Sequence, residues 1–344
     1  MAPLPPSAPL LTLVVPAYNA QDYVTRCLNT LVGHAEVEVV VVDDGSTDST
    51  PALLDDYARR EPRLVVVHQQ NKGHGGAVNT GLARARGTWV KVVDSDDALD
   101  RASLLRLLSH LRRWRQAGQK PDLVVTNFTY VREGSRLRRH SVRYRGILPQ
   151  GRVGTWSDVG RFRPDQYLMM HSLTYRTQVL RDSGTRLPEH CFYVDTLYSF
   201  QPLASVRSLT YLDLDLYLYT VGRQGQSVAD EVIIRRLDQH DRVNALMLES
   251  MPRAHEVPPE LMRYLVHIYT MSCVVITTMA LRSGTPENLA IREGLWQRLD
   301  ARRPDISVRV RRSLMGRLMN LPGRAGSRVP VAGYQVARRI LALN

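Results

Sequence analysis

Three carboxylates, Asp94, Asp96 and Asp97, close the run "VVDSDD" at residues 92–97. Like charges this close repel, and a carboxylate is costly to bury without a partner. Two readings account for them. "DDAL" can open a helix, because carboxylates favour helix N-termini. Alternatively, Asp94-Ser95-Asp96 ends a strand and presents Asp94 and Asp96 to one divalent cation. Mg²⁺ and Mn²⁺ prefer oxygen ligands, and Mg²⁺ commonly takes phosphate oxygens as well. On that reading the ion is what makes three neighbouring carboxylates tolerable.

Three more polar clusters have similar settings. "VVDDGSTD" places Asp43 and Asp44 straight after valines, where acceptors suit the N–H edge of a base or the hydroxyls of a ribose. An Asx turn followed by a cap explains Asp48 and Ser49, and explains Asp43 and Asp44 less well. "NKGHGGAVNTG" sets Lys72 and Gly73 at a glycine-rich helix start, whose bare N–H groups attract anions. The GxxxxGK[ST] spacing is missing, and the glycines follow a third strand rather than the first, so neither a P-loop nor a dinucleotide fingerprint is present. His74 reads as a polar loop residue without metal partners. "PAYN" carries Pro16, Tyr18 and Asn19.

The elements that must position these residues alternate over the first hundred positions. "LTLVVPA", "VEVVVVD", "RLVVVHQ" and "TWVKVVD" are apolar runs of strand type. "AQDYVTRCLNTLVG" has helical spacing, with Tyr23, Cys27, Leu28 and Leu31 on one face. "TPALLDDYARR" has Pro51 where a first helical turn accepts it, and "GGAVNTGLARARG" predicts a third helix closed by Gly87. Strand-helix alternation implies an α/β fold with a Rossmann-like, mostly parallel sheet flanked by helices. Ligands of such sheets collect beyond the carboxyl ends of the strands, where all four clusters fall. From about Asp230 the pattern turns helical. The expected organisation is a tail at 1–9, a domain at 10–229 (nucleotide-binding half 10–100, acceptor half 101–229) and a helical, basic C-terminal region at 230–344.

Composition narrows the partners. The net charge of +13 calls for an anionic one. No aromatic–basic RNA-binding motif appears, so nucleic acid is not expected. "RPDISVRVRRSLMGRLMN" sets Leu314, Met315, Leu318 and Met319 after Arg311 and Arg312 at helical spacing. This basic amphipathic stretch suits an anionic membrane face or a solvated face packed on the protein. Tyr264 to Leu281 is the most apolar long stretch, and its polar interruptions favour a buried helix over a span. Cys27, Cys191 and Cys273 form no CxxC pair, so a reducing cytoplasm fits. "MAPLPPSAPL" lacks the charged and apolar regions of a signal peptide.

The ordered set "VVPAYNAQDYVTRCLNTL", "VEVVVVDDGSTDST" and "NKGHGGAVNTGLARARGTWVKVVDSDD" resembles family 2 glycosyltransferases, which have the GT-A fold. The resemblance implies an inverting enzyme that uses a nucleotide-sugar, with a UDP-sugar favoured, and Mn²⁺ or Mg²⁺. Pro16, Tyr18, Asn19, Asp43 and Asp44 would hold the nucleotide, joined by Lys72, Gly73 and Ser95. Asp94 and Asp96 would hold the metal and diphosphate, with Asp96 as the direct ligand. The family's base lies in a Glu-Asp pair. In "HCFYVDTLYS", Val194 stands at the Glu position and Asp195 at the base position. Asp195 also reads as a helix N-cap. Arg223, in "YLYTVGRQGQSV", would cover the donor phosphates, or the segment is a surface loop. The acceptor implied is a cell-wall, lipid-linked or exopolysaccharide glycan. The setting implied is cytoplasmic, with peripheral attachment to the inner membrane face through the basic C-terminal region. Two rivals stay open. One is a nucleotidyltransferase, though no glycine-lysine loop follows the first strand. The other is an inactive glycosyltransferase-like binder at an anionic membrane, suggested by Val194.

Overall fold

Runs of valine and leucine build one half of the central sheet. The computed structural model describes residues 8–132, 139–164, 166–222 and 230–321. In it β1 (Leu11–Ala17), β2 (Val37–Asp43), β3 (Leu64–His68) and β4 (Trp89–Val92) pair in parallel in the order β3-β2-β1-β4. Every residue of β1 and β2 is buried, which is why these strands read as continuous apolar runs rather than alternating ones. The crossovers are α1 (Val24–Leu31), α2 (Thr50–Arg60) and α3 (Gly73–Arg84). The first of these, α1, buries Val24, Cys27, Leu28 and Leu31, spaced as one helical face. Pro51 opens α2. Gly87 does not close α3, which ends at Arg84 with Ala85 already extended. Gly87 is instead needed for close approach to β1: a Cβ there would stand 2.5 Å from the Thr12 nitrogen.

Beyond β4 come β5 (Ala98–Leu99), α4 (Arg101–Gln116), β6 (Leu123–Arg132), β7 (Arg139–Val142), β8 (Leu173–Arg176), α5 (Thr177–Asp182), α6 (Val194–Phe200) and β9 (Leu209–Val221). The sheet continues β4-β8-β6-β9-β5, with β7 beside β6. β8 is antiparallel to both β4 and β6, and β5 is antiparallel to β9, while β6 and β9 run parallel. The purely parallel order therefore belongs to the first hundred residues, and the sheet is mixed after them. Between the pairs Thr126↔Leu212 and Phe128↔Tyr217, β6 advances two residues and β9 five. This irregularity is pinned by Asn127, whose Nδ2 donates to Asp213 (2.9 Å) and Asp215 (2.7 Å) and whose Oδ1 accepts from the Tyr211 hydroxyl at 2.6 Å.

Residues up to Val221, without 162–167, form one compact unit. Phe162–Tyr167 with Gly222–Asn344 form a second. The described part of the second unit contains α7 (Asp230–Arg235), α8 (Leu237–Glu249), α9 (Pro259–Ser283), α10 (Pro286–Arg302), α11 (Pro304–Arg312) and α12 (Leu314–Met319). α9 is long and apolar enough to cross a bilayer, with a mean hydropathy of 1.6, yet 56% of that window is buried within the protein. Its polar groups find internal partners. The Tyr269 hydroxyl donates to the buried Asn244 at 3.0 Å, and the Trp296 indole N–H donates to Thr277 at 3.2 Å.

Candidate active site

The four parallel strands deliver four polar clusters to one edge. Asp43 is the last residue of β2 and His68 the last of β3, while Asp94 follows β4 by two residues. Neighbouring strands lie about 4.8 Å apart, so the β3 and β4 ends are separated by roughly 14 Å, a reach suited to an extended nucleoside diphosphate. Asp43 is buried. It accepts from the Ser46 N–H at 3.1 Å and lies 2.7 Å from His68 Nδ1. That contact leads the forces raising the His68 pKa. Asp44, also buried, accepts from the Lys72 N–H (2.9 Å) and Gln69 Nε2 (2.6 Å), so it anchors the 69–72 loop. Pro16 is buried inside β1, while Tyr18 is 52% exposed at its end. Asn19 takes a left-handed conformation (φ 46°) and accepts from the Thr47 N–H at 2.9 Å, tying the β1 and β2 loops together.

Past β4 the carboxylates take three different roles. Asp97 is fully buried and is not an open ligand. Its Oδ1 accepts from the Thr220 N–H at 2.7 Å and its Oδ2 from the Tyr217 hydroxyl at 2.8 Å. Burial, then repulsion from Asp96 and Asp94, raises its pKa well above the carboxylate range. Asp94 lies between two imidazoles, His74 Nε2 at 2.9 Å from Oδ1 and His171 Nε2 at 3.5 Å from Oδ2. Burial works to raise the Asp94 pKa, but the pull of His171 and His74 outweighs it and holds the group ionised far below its usual range. Asp96 and Ser95 are partly exposed, and the Asp96 carbonyl accepts from Arg26 Nη2 at 2.6 Å. Protein groups thus hold Asp94 ionised, whereas Asp97 is held against its charge. The reading of His74 as a loop residue is corrected: it lies in the first turn of α3, beside Asp94.

The structure adds residues that motif reading missed. Lys91 is fully buried in the middle of β4. Its Nζ donates to the carbonyls of His171 (2.5 Å) and Leu173 (3.3 Å), and burial lowers its pKa to about 7. It therefore holds the turn that carries His171. A lysine among valines in "TWVKVVD" was the available signal, since a buried ammonium must find acceptors. His171 packs between Tyr219 and Tyr217, with ring centroids 4.5 and 4.6 Å away.

Asp195 arrives from the other half of the unit. The side chain of Asn79 on α3 donates to the Leu187 carbonyl at 2.8 Å and accepts from its N–H at 3.0 Å, and the His190 N–H donates to the Lys72 carbonyl at 2.8 Å. Gly73, at φ 74°, allows this approach, because a Cβ there would stand 2.9 Å from the His190 nitrogen. His190 and Tyr193 both have positive φ, 49° and 64°, so the chain entering α6 is strained. Tyr193 is the helix N-cap, and Asp195 sits in the first turn, which corrects the N-cap reading. Val194 points into the core, 1% exposed. Burial raises the Asp195 pKa against the pull of His171 and His74, and Asp94 raises it further, so these four groups share one electrostatic neighbourhood. Lys72 Nζ lies 3.9 Å from Glu189. Arg223 lies outside the described residues. Among those residues, Asp94, Asp97 and His171 offer ligand atoms all within 4.8 Å of one another. Even with Asp97 committed elsewhere, carboxylate oxygen beside imidazole nitrogen suits a divalent cation.

Comparison with known proteins bears on the family and the fold. The sequence profile of the family described as Glycosyl transferase family 2 matches residues 12–179. Residues 12–179 are a family 2 glycosyltransferase domain. An uncharacterized glycosyltransferase, EpsJ, of Bacillus subtilis (strain 168) is 38% identical over 228 residues, 61% of this chain and 61% of its own length. The succinoglycan biosynthesis protein ExoO of Rhizobium meliloti (strain 1021) is 38% identical over 146 residues, 41% of this chain and 40% of its own. The matches thus span about three fifths of the length of EpsJ and two fifths of that of ExoO. The crystal structure of S. aureus TarS residues 1–349, in complex with UDP-GlcNAc, superposes with a TM-score of 0.66 at 21% identity, covering 95% of this chain and 92% of that one. The glycosyltransferase domain has the GT-A fold, and its parallel strands carry the four clusters at their carboxyl edge.

Proposed function

We propose that this chain is an inverting glycosyltransferase. It moves a sugar from a nucleotide-sugar to an acceptor hydroxyl during synthesis of a cell-wall, lipid-linked or exopolysaccharide glycan. What supports this reading is that Asp195, a hundred residues from Asp94 in sequence, shares one electrostatic neighbourhood with Asp94, His74 and His171. Asp43, Asp44, Pro16, Tyr18 and Asn19 line the nucleotide end of that edge, and Lys72, Gly73 and Ser95 lie along the diphosphate. The neighbour solved with UDP-GlcNAc favours a UDP-sugar, and the relative in succinoglycan biosynthesis favours a polysaccharide acceptor.

Asp94 and Asp96 would hold a divalent ion, Mn²⁺ or Mg²⁺, whose charge stabilises a leaving diphosphate. Asp195 takes the proton of the acceptor hydroxyl as that oxygen attacks the anomeric carbon. Its raised pKa makes it a stronger base than an exposed aspartate. A single displacement inverts the anomeric centre. The basic stretch of α11 and α12 supports peripheral binding to an anionic membrane, consistent with a cytoplasmic enzyme acting on a lipid-linked acceptor.

The test is a thermal-shift screen of UDP-, GDP-, dTDP- and CDP-sugars with and without Mn²⁺, on wild type and Asp96→Ala. A ligand that binds only the folded state raises apparent stability. The expected result is a shift from one nucleotide class that depends on Mn²⁺ and disappears in Asp96→Ala. Absence of any shift in a folded wild type, with no donor hydrolysis, would replace this reading with that of an inactive binder.

A further inference from the structure

We infer that His171 is itself a ligand of the divalent ion, beside Asp94, and that its imidazole biases the site toward Mn²⁺ over Mg²⁺. This rests on the metal part of the proposed function and goes beyond the two aspartates.

The two histidines that face Asp94 are not equivalent. His74 is exposed and stands 2.9 Å from Asp94 Oδ1, the spacing of a charge-assisted hydrogen bond. His171 is 4% exposed and stands 3.5 Å from the other oxygen. Two atoms bonded at about 2.1 Å to one ion lie roughly 3.0–3.4 Å apart. Both spacings lie about 0.1 Å outside that range; what sets His171 apart is that it is buried and that its ligand atom lies within 4.8 Å of both Asp94 and Asp97. The other His171 ring nitrogen, Nδ1, is buried without a hydrogen-bond partner, so the interactions of this imidazole are made through Nε2, on the side of Asp94. The ring is also held before any ion arrives. It stacks on Tyr219 (4.5 Å between centroids, 24° between planes), and its own carbonyl accepts from Lys91. Asp97, the third acid in reach, has both oxygens committed to Thr220 and Tyr217 and is fully buried. Imidazole suits borderline transition ions, whereas Mg²⁺ prefers oxygen and keeps its waters.

The experiment is electron spin-echo modulation spectroscopy of Mn²⁺ bound to the full chain, alone and with UDP. It is run on wild type, His74→Gln and His171→Phe, and Mn²⁺ and Mg²⁺ affinities are measured on the same samples. Phenylalanine preserves the aromatic stack and removes both nitrogens. The expected result is nitrogen-14 coupling in wild type and His74→Gln that is absent from His171→Phe. Mn²⁺ affinity in His171→Phe should fall by at least about tenfold, with a smaller loss for Mg²⁺. Bound Mn²⁺ with no nitrogen coupling in wild type overturns this inference and leaves the aspartate site standing. Coupling lost in His74→Gln instead also overturns it. The wild-type and His74→Gln spectra decide the matter even if His171→Phe does not fold. No bound Mn²⁺ in folded wild type, with or without UDP, overturns the metal reading itself.

Discussion

In the proposed reaction Asp195 is the base. Asp195→Asn keeps the size and hydrogen-bonding capacity of the side chain but cannot accept a proton from a hydroxyl. It should lower kcat by about 10²–10⁴-fold while the thermal shift produced by the sugar donor persists. A variant that turned over at the wild-type rate would remove Asp195 from the mechanism. The aspartates after β2 and β4 were legible in sequence because they follow apolar runs, which is a local signal, whereas Asp195 came from the family resemblance. Their surroundings were not. Asp97 looked like one of three equivalent acids until Thr220 and Tyr217, more than a hundred residues away, were seen to use both its oxygens. His74 read as a polar loop residue because Asp94 lies twenty residues on, across a helix and a strand. Lys91 was missed as well, because sequence could not name the His171 and Leu173 carbonyls that accept from it.

At the scale of elements, α3 and the segment leading into α6 must touch for Asp195 to reach the site. A Cβ on Gly75 would stand 2.4 Å from the Pro188 carbonyl oxygen. Gly75→Ala should therefore cost about 1–3 kcal/mol of stability and also lower kcat, because the displaced segment carries Asp195. Urea denaturation and steady-state rates would check this; no change in either would mean the two elements are not in close apposition. The irregular β6–β9 pairing makes a second prediction. Burial pushes Asp213 toward neutrality, but hydrogen bonds from Asn127, Arg145 and Tyr211 outweigh it and lower its pKa to about 2. A carboxyl whose pKa is depressed by folding contributes stability above its unfolded pKa and loses it as pH falls through the folded one. Asp213→Asn should thus cost on the order of 2 kcal/mol near neutrality, and the gap from wild type should close between about pH 4 and about pH 2. A gap of constant size down to about pH 2 would show that the charge is not its source. The strands themselves were readable from β-branched composition, whereas the five-against-two step in their register was not.

At the scale of the whole molecule, the charge of +13 is a statement about partners. In the second unit Arg309, Arg312 and Arg317 are exposed, as are Val308 (47%) and Leu314 (73%), the latter the most exposed of the large apolar side chains described. Arg311 is occupied by Asp300 and the Trp296 ring, and Met319 is buried, so only part of the basic amphipathic stretch is available as an outer face. Each basic residue near an anionic bilayer contributes about 1 kcal/mol. Arg309→Glu with Arg312→Glu should therefore weaken binding to anionic vesicles by at least about tenfold at low salt, as read by co-sedimentation. Unchanged binding would clear this face of a membrane role. Residues 322–344, which continue the stretch, lie outside the described region. Sequence by itself determined the strand-helix alternation, the edge at which the polar clusters gather, and the family, because period, turn chemistry and motif order act over a few residues. Only tertiary structure decided that β8 enters antiparallel, that both oxygens of Asp97 are used by Thr220 and Tyr217, and that His171 faces Asp94. Those outcomes depend on which distant groups satisfy a buried charge, and that is settled only when the chain has closed around it.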